Sequence, residues 1–192
     1  SLPGDKSISH PALLQALLAA GENRIDAAGD GEDVRSTAGV VSALGASVER
    51  VAVHAGRVHY RVLSPGGDAL AEPEGPLDCG NSGTTTRLVA GLLAGRPLFA
   101  VLDGDASLRR RPMGRVVEPL RAMGAAFAGR GGDTLLPMAV RGRARLSPID
   151  YRTPVPSAQV KSAILLAGLA VDGETRVAEA VATRDHTERM LR

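Results

Sequence analysis

Aromatic side chains are nearly absent. The 192 residues include two Phe, two Tyr and no Trp, 2% in all. Four rings cannot form the base-stacking platform of a single-strand nucleic-acid binder, and a net charge of +2 is too mild to supply its electrostatics, so no nucleic-acid partner is expected. One cysteine, Cys79, excludes an intrachain disulfide, and the four histidines are scattered, so no metal-ligand cluster is legible. No apolar run reaches about 18 residues, and no signal-peptide pattern opens the chain. The expectation is a soluble cytoplasmic protein with no membrane partner. The chain begins at Ser1 without Met and closes on RDHTERMLR, the opening of a helix pattern. Both ends are expected to be those of a fragment.

What is present is an aliphatic core composition. Hydrophobic residues make up 44%, enough for a sizeable core in one large or two small domains. Apolar residues recur at three- and four-residue spacing over 9–20, 33–45, 84–94, 113–123, 157–170 and 185–192, the period of amphipathic helices. Short strand-like segments fall at 48–54, 57–63, 98–102, 134–140 and 175–180, several ending in Gly-rich turns. This alternation predicts an α/β fold. Two stretches share one plan: VVSALGASVERVAVHAGRVHYRVL and VVEPLRAMGAAFAGRGGDTLLPMAVRG each read as helix, strand, Gly/Arg turn and strand. Gly45 and Gly124 suit the helix C-terminal caps. A third helix starting near Thr187 is cut by the chain end. The repeat predicts a pseudo-symmetric domain rather than a Rossmann sheet.

Helix starts carry the chemistry. A helix N-terminus presents unpaired N–H groups and a partial positive charge. Lys6, Ser7 and Ser9 open the first helix, with Ser9 as the expected N-cap and Pro11 in the first turn. GNSGTTTR sets two glycines, three threonines and Arg87 before the third. Arg109, Arg110 and Arg111 precede a helix whose first turn takes Pro112, and that proline biases Arg111 toward an extended backbone. Ser157 and Gln159 open the next helix, and Thr183, Arg184 and His186 the last. Each has a plainer reading. Ser157 and Asp185 are ordinary N-caps, with Glu188 completing a capping box. An arginine run is also a solvated face. Cys79 reads as packing, and His54 and His59 as surface residues of a hairpin. Taken together, five cationic or hydroxyl-bearing helix starts would meet around one polyanion if the helices point the same way.

GDKS looks like the end of a P-loop, but only Asp5 separates Gly4 from Lys6 and no earlier glycine exists, so no triphosphate loop can form. G-x-G-x-x-G is also absent, which argues against a dinucleotide.

The motifs PGDKSISH, LDCGNSGTTTRL, DGDASLRRRPMGRVVEPLRAMGA, VPSAQVKSAILLAGL and TRDHTERML resemble, in order and spacing, those of the 5-enolpyruvylshikimate-3-phosphate synthase family (3-phosphoshikimate 1-carboxyvinyltransferase). They span nearly all of the chain. The resemblance implies an enolpyruvyl transferase-like fold of repeated βαβαββ-type units about a pseudo-threefold axis. Residues 1–192 would form most of one such domain, the shikimate-phosphate-binding half, with a second domain absent. It implies transfer of the carboxyvinyl group of phosphoenolpyruvate to the 5-hydroxyl of shikimate 3-phosphate through a tetrahedral intermediate, no cofactor, and a monomer at full length. The roles it implies are Lys6 touching both substrates and assisting proton transfer; Ser7, Ser157 and Gln159 contacting shikimate phosphate, Gln159 also reaching phosphoenolpyruvate; Ala158 as a substrate-binding position where some members have a second serine; Gly83 and Arg111 contacting phosphoenolpyruvate; and Thr183 and Arg184 holding the shikimate side. Arg87 would be structural. Pro11 departs from the family's arginine, which contacts the shikimate moiety. Gly83 stands where glyphosate-tolerant members carry alanine, so glyphosate sensitivity is expected of the full-length enzyme. The other domain supplies the carboxylate bases, so the fragment alone is expected to be inactive. Two alternatives stay open. One is UDP-N-acetylglucosamine enolpyruvyl transferase, although that family has Lys-Asn at 6–7 and a reactive loop cysteine. The other is a non-catalytic phosphate-binding remnant.

Overall fold

The computed structural model describes residues 4–53 and 57–192. The chain follows one plan three times. The middle copy is the fullest: β4 (Leu77–Asp78), α3 (Gly83–Ala94), β5 (Phe99–Asp103), α4 (Gly114–Ala122), β6 (Ala126–Gly129), a single turn α5 (Arg130–Asp133) and β7 (Leu135–Arg141). The first copy runs α1 (Lys6–Leu18), β1 (Gly21–Gly29), α2 (Glu32–Ala43), β2 (Ser47–Val53) and β3 (Arg57–Ser64). The third runs β8 (Asp150–Arg152), α6 (Ala158–Gly168), β9 (Arg176–Ala178) and α7 (His186–Met190). Sheet order agrees with this alignment. The antiparallel order β1-β3-β2 matches β5-β7-β6, and the parallel pair β8-β9 matches β4-β5. The middle copy is the expected βαβαββ-type unit, the first copy holds αβαββ and the third βαβα of the same plan, in an α/β fold.

The paired helix–hairpin repeat has a common local cause. Gly45 (φ 103°) and Gly124 (φ 110°) follow the C-caps of α2 and α4 in left-handed backbone. The next amide reaches five residues back in both, Ala46 N–H to Val41 C=O (3.4 Å) and Ala125 N–H to Leu120 C=O (3.1 Å). This is the Schellman arrangement, and glycine adopts it without the Cβ penalty. It turns the chain from the helix into its hairpin.

The core lies around α1, α3 and α6. Leu13, Leu14 and Leu17 of α1 are fully buried, and most residues of α3 and α6 are buried. Burying each such leucine contributes roughly 1.5–3 kcal/mol. Helices α3 and α6 touch backbone to backbone: a Cβ on Gly91 would lie 2.2 Å from the Ala163 carbonyl oxygen. That contact sets the two helices side by side with their starts at one end. The outer helix α4 buries Val116, Val117 and Leu120 on one face, as an amphipathic helix does.

Several boundaries differ from expectation. Helix α1 starts at Lys6, because Asp5 is the N-cap and its carboxylate accepts the Ser7 N–H at 2.8 Å. Ser9 is instead buried inside the helix; its hydroxyl donates to Asp5 C=O (2.9 Å) and accepts Gly29 N–H (3.0 Å). Pro11 is therefore the sixth helical residue, past the first turn. Pro112 lies outside α4, whose N-cap is Met113, but Arg111 is extended (φ −82°, ψ 128°) as a pre-proline residue should be. Asp185 stands at the N-cap position without capping, and Glu188 turns to Lys161, so no capping box forms. Strands β1, β4 and β8 have no sequence expectation behind them. β1 (GENRIDAAG) alternates exposed and part-buried positions over 22–27, but the part-buried ones are Asn23, Ile25 and Ala27, so no apolar period is legible, and β4 and β8 are too short to show a period. His59 is half buried, 2.6 Å from Asp26, and His54 lies outside the described residues.

Candidate functional site

The starts of α1, α3 and α6, with the first residues of α2 (Glu32, Asp33) and of α7 (His186, Thr187), open onto one cavity of about 730 Å³, within the roughly 300–1,000 Å³ range of small-molecule sites. The first three starts are built locally. Asp5, Ser82 and Ser157 are N-caps that accept the amides of Ser7, Thr85 (3.1 Å) and Val160 (3.4 Å). This leaves the first residues of each helix, Lys6, Gly83 and Ala158, on the cavity wall. The cations there are Lys6, Arg87, Arg111 and Arg184; the carboxylates are Glu32 and Asp33. The excess of positive charge, added to three helix N-termini, favours an anion.

Arg111 donates to Asn81 Oδ1, and Asn81 donates in turn to Asp105 (2.6 Å). Arg87 donates to Gln159 Oε1 (2.8 Å), and the Gln159 amide nitrogen donates to Thr84 Oγ1 (2.8 Å). Arg87 thus fixes Gln159 rather than standing free. Burial pushes the Arg87 guanidinium down, and Arg111 and Arg115 add to that push. Arg184 donates to Ser7 Oγ at 2.6 Å, joining the third repeat to the first across the cavity mouth. Arg109 is turned away into a two-bond pair with Asp103 (2.8 and 2.6 Å), and Arg110 is exposed.

Below the cavity lies a buried polar chain. His10 Nδ1 is 2.6 Å from Thr37 Oγ1, which is 2.7 Å from Thr85 Oγ1, which donates to Ser82 Oγ at 2.6 Å. His10 is fully buried, and its Nε2 lies 3.7 Å from Asp33 Oδ2. Burial pushes the imidazole below its ordinary value, against the pull of Asp33. Lys6 Nζ lies 3.4 Å from the same carboxylate oxygen. Burial alone would raise the Asp33 carboxyl, but His10, Lys6 and the Val34 amide outweigh it and hold it low.

The family model described as EPSP synthase (3-phosphoshikimate 1-carboxyvinyltransferase) matches residues 1–192. The chain belongs to the EPSP synthase family. The 3-phosphoshikimate 1-carboxyvinyltransferase of Acidiphilium cryptum is 55% identical over 192 residues, which are 100% of this chain and 42% of that protein. Its counterpart from Granulibacter bethesdensis is 57% identical over 191 residues, 100% of this chain and 41% of that one. The solved EPSP synthase of Acinetobacter baumannii is 42% identical with a TM-score of 0.91, covering 100% of this chain and 42% of that one. This EPSP synthase family chain therefore spans about two fifths of the length of these relatives.

The fold brings Lys6, Ser7, Gly83, Arg111, Ala158, Gln159 and Arg184 to the cavity. Ser157 and Thr183 are not on its wall. Ser157 is engaged in capping, and the Thr183 hydroxyl donates to Glu179 at 2.7 Å. Sequence reasoning missed His10, Glu32, Asp33 and Asn81. Asp33 and Thr37 sit one turn apart on α2, a spacing that marks one helix face, but nothing local says that this face meets α1. Pro11 lines the cavity and is buried. Cys79 is fully buried, and burial pushes its thiol up to about 12, the environment of an inert packing cysteine. Among the described residues, no group of three or more His, Cys, Asp or Glu is placed to hold a metal ion, and no helix is long and apolar enough to cross a membrane.

Proposed function

We propose that this chain serves transfer of the carboxyvinyl group of phosphoenolpyruvate to the 5-hydroxyl of shikimate 3-phosphate, with release of phosphate. In this reading residues 1–192 are the shikimate-phosphate-binding half of a cytoplasmic enzyme that is monomeric at full length. The observation that carries it is the meeting of three helix starts, with Lys6, Arg111 and Arg184, on one cavity. Both substrates are anions that such a cavity would attract.

The chemistry follows from the charges. The 5-hydroxyl oxygen bonds to C2 of phosphoenolpyruvate as its proton passes to a carboxylate base of the other half, while C3 takes a proton from Lys6, giving a tetrahedral intermediate. Loss of the C3 proton and cleavage of the C2–O bond to phosphate then restore the vinyl group. Lys6, the first residue of α1 and paired with Asp33, holds substrate negative charge and supplies a proton donor at the reacting centre. Arg111 offers a planar fork for phosphate or carboxylate. Arg184 and Ser7 hold the shikimate side from the mouth. The carboxylate bases belong to the half that these residues do not include.

Calorimetry and a phosphate-release assay on the 192-residue chain test the proposal. Weak binding of shikimate 3-phosphate and no turnover with phosphoenolpyruvate are expected. Turnover by the chain alone would refute the assignment of the bases to the other half, and no binding would refute the cavity's role.

A further inference from the structure

Lys161 is a buried charge that the proposed reaction does not use. It lies on α6, three residues after Ala158 and one turn behind the cavity wall, and its side chain is 10% exposed. Its ammonium stands 2.7 Å from Glu179 Oε2 and 2.7 Å from Glu188 Oε1. Two of its three donors are thereby placed on carboxylates. Burial pulls this ammonium down, but the hydrogen bonds to Glu179 and Glu188 outweigh it and keep the group protonated. One buried lysine between a buried acid, Glu179, and a part-buried one, Glu188, is a poor source of stability, because desolvation offsets most of the Coulomb gain. What the arrangement does supply is geometry.

The partners of the two acids show which geometry. Glu179 accepts the Thr183 hydroxyl through Oε1 (2.7 Å) and the Thr183 N–H through Oε2 (3.3 Å). The 179–183 turn is closed in this way, and the next residue is Arg184, which reaches Ser7 Oγ at 2.6 Å. Beyond Arg184, Glu188 returns to Lys161, and Thr187 Oγ1 pairs with Ser162 Oγ at 2.8 Å. Arg184 is therefore bracketed by ties at 183 and at 187–188, and both run to neighbouring residues of α6. Among the described residues, no hydrophobic residue after Ala167 belongs to the fully buried core. Polar ties, rather than apolar packing, decide where this turn lies.

We propose that Lys161 is a positioning residue for the anion cavity: clamped between Glu179 and Glu188, it holds the Thr183–Arg184 turn so that Arg184 faces Ser7 across the mouth. This rests on the cavity reading above and adds the residue that sets its third wall.

The test is shikimate 3-phosphate calorimetry on the 192-residue chain with R184A, E179Q, E188Q, K161M and the double variant R184A/E179Q. E179Q keeps the side-chain shape but removes the negative charge that faces the ammonium, so it remains informative if K161M fails to fold. R184A, E179Q and K161M should each weaken binding about tenfold, the loss of one charge-assisted contact. The double variant should bind no worse than R184A, since a misplaced arginine and a missing one are the same defect. E188Q should lose less, because the Ser162–Thr187 bond still ties α7, although it lowers the melting temperature as E179Q does. Unchanged affinity in E179Q beside a loss in R184A would overturn the positioning role, as would additive losses in the double variant. If R184A itself binds like the parent, the cavity reading falls and the positioning role falls with it.

Discussion

Arg111 and Arg184 face the same cavity from two unlike supports. Arg111 belongs to the second repeat, where Leu108 and Met113 on either side of it are each 1% exposed and anchored in the core. Its backbone is set by apolar packing and by Pro112. Arg184 belongs to the third repeat, where the flanking anchors are Thr183 and Thr187–Glu188, tied to α6 by hydrogen bonds and the Glu179–Lys161–Glu188 ion triad. The difference teaches how a helix-start site is held when apolar residues are scarce. Where the core is dense, it fixes the backbone and the charged side chain is left to the site. Where the core thins, other charges take over that work.

The comparison breaks most severely at Gly91, where the apolar mode depends on backbone contact. Its added Cβ would stand 2.2 Å from the Ala163 carbonyl and 2.6 Å from the Ala163 Cα, and neither helix backbone can yield alone. Gly91→Ala should cost at least about 3 kcal/mol in urea or guanidinium unfolding. A loss below about 1 kcal/mol would show that α3 and α6 slide freely and do not set the helix starts.

Pro11→Arg sharpens the polar side. Residue 11 is the sixth of α1 and lines the cavity. Arginine there restores the amide that Pro withholds from the Ser7 carbonyl and brings a guanidinium to the wall that Arg184 serves. Shikimate 3-phosphate affinity should rise about tenfold. In that background Arg184→Ala should cost less than in the parent. Equal affinities for the parent and the Pro11→Arg variant, with the same circular dichroism, would remove residue 11 from the binding account.

Gly83→Ala tests the seam between the repeats. The methyl would lie 2.6 Å from Arg87 Nη1 and 3.5 Å from Arg111 Nη1. Arg87 Nη1 is the group that holds Gln159 of the third repeat at 2.8 Å, so a change in the second repeat disturbs the third through one guanidinium. In a catalytically complete protein carrying this chain, the glyphosate inhibition constant should rise about tenfold and the phosphoenolpyruvate KM about twofold, as expected for one added methyl in a tight pocket. Equal shifts in both constants would refute this.

The smallest effect belongs to Asp30, an exposed counterpart of the Lys161 cluster with two cations on one acid. Hydrogen bonds from Arg50 and Arg35 hold its carboxyl at about 2. A folded value below the ordinary 3.8 means that the contribution is present above that value and is lost as pH falls toward about 2. Asp30→Asn should make the fall of the urea midpoint between about pH 4 and 2 shallower and change little at neutral pH, since solvent screens the pairs. An unchanged acid limb would show that the pairs do not bias folding.

Much of the site was legible because helix starts are local events. Asp5, Ser82 and Ser157 bond amides two or three residues away, so the chemistry of each start is written in a few adjacent letters. The error at Ser9 is also local: Asp5, Ser7 and Ser9 are all competent caps, and Ser9 is withdrawn only because β1 brings the Gly29 amide to its hydroxyl (3.0 Å). Glu188 fits a capping box by spacing, yet Lys161, far away in sequence, draws it off. Strand β1 escaped notice because the part-buried positions of its alternation carry Asn23, Ile25 and Ala27, too few large apolar residues to read as a period.

By itself the sequence determined the helix–hairpin repeat, through Gly45 and Gly124, and the cationic, hydroxyl-rich starts of the inner helices, because caps and left-handed turns depend on neighbours in the chain. Only the tertiary structure decided that those starts share one cavity, that Thr37 and Thr85 stand behind His10 on its wall, and that the stretch carrying Arg184 is tied to α6. Those facts rest on contacts between distant segments, the touch of Gly91 on Ala163 and the ties from α6 to α7, and no local period or spacing encodes which buried surfaces will meet.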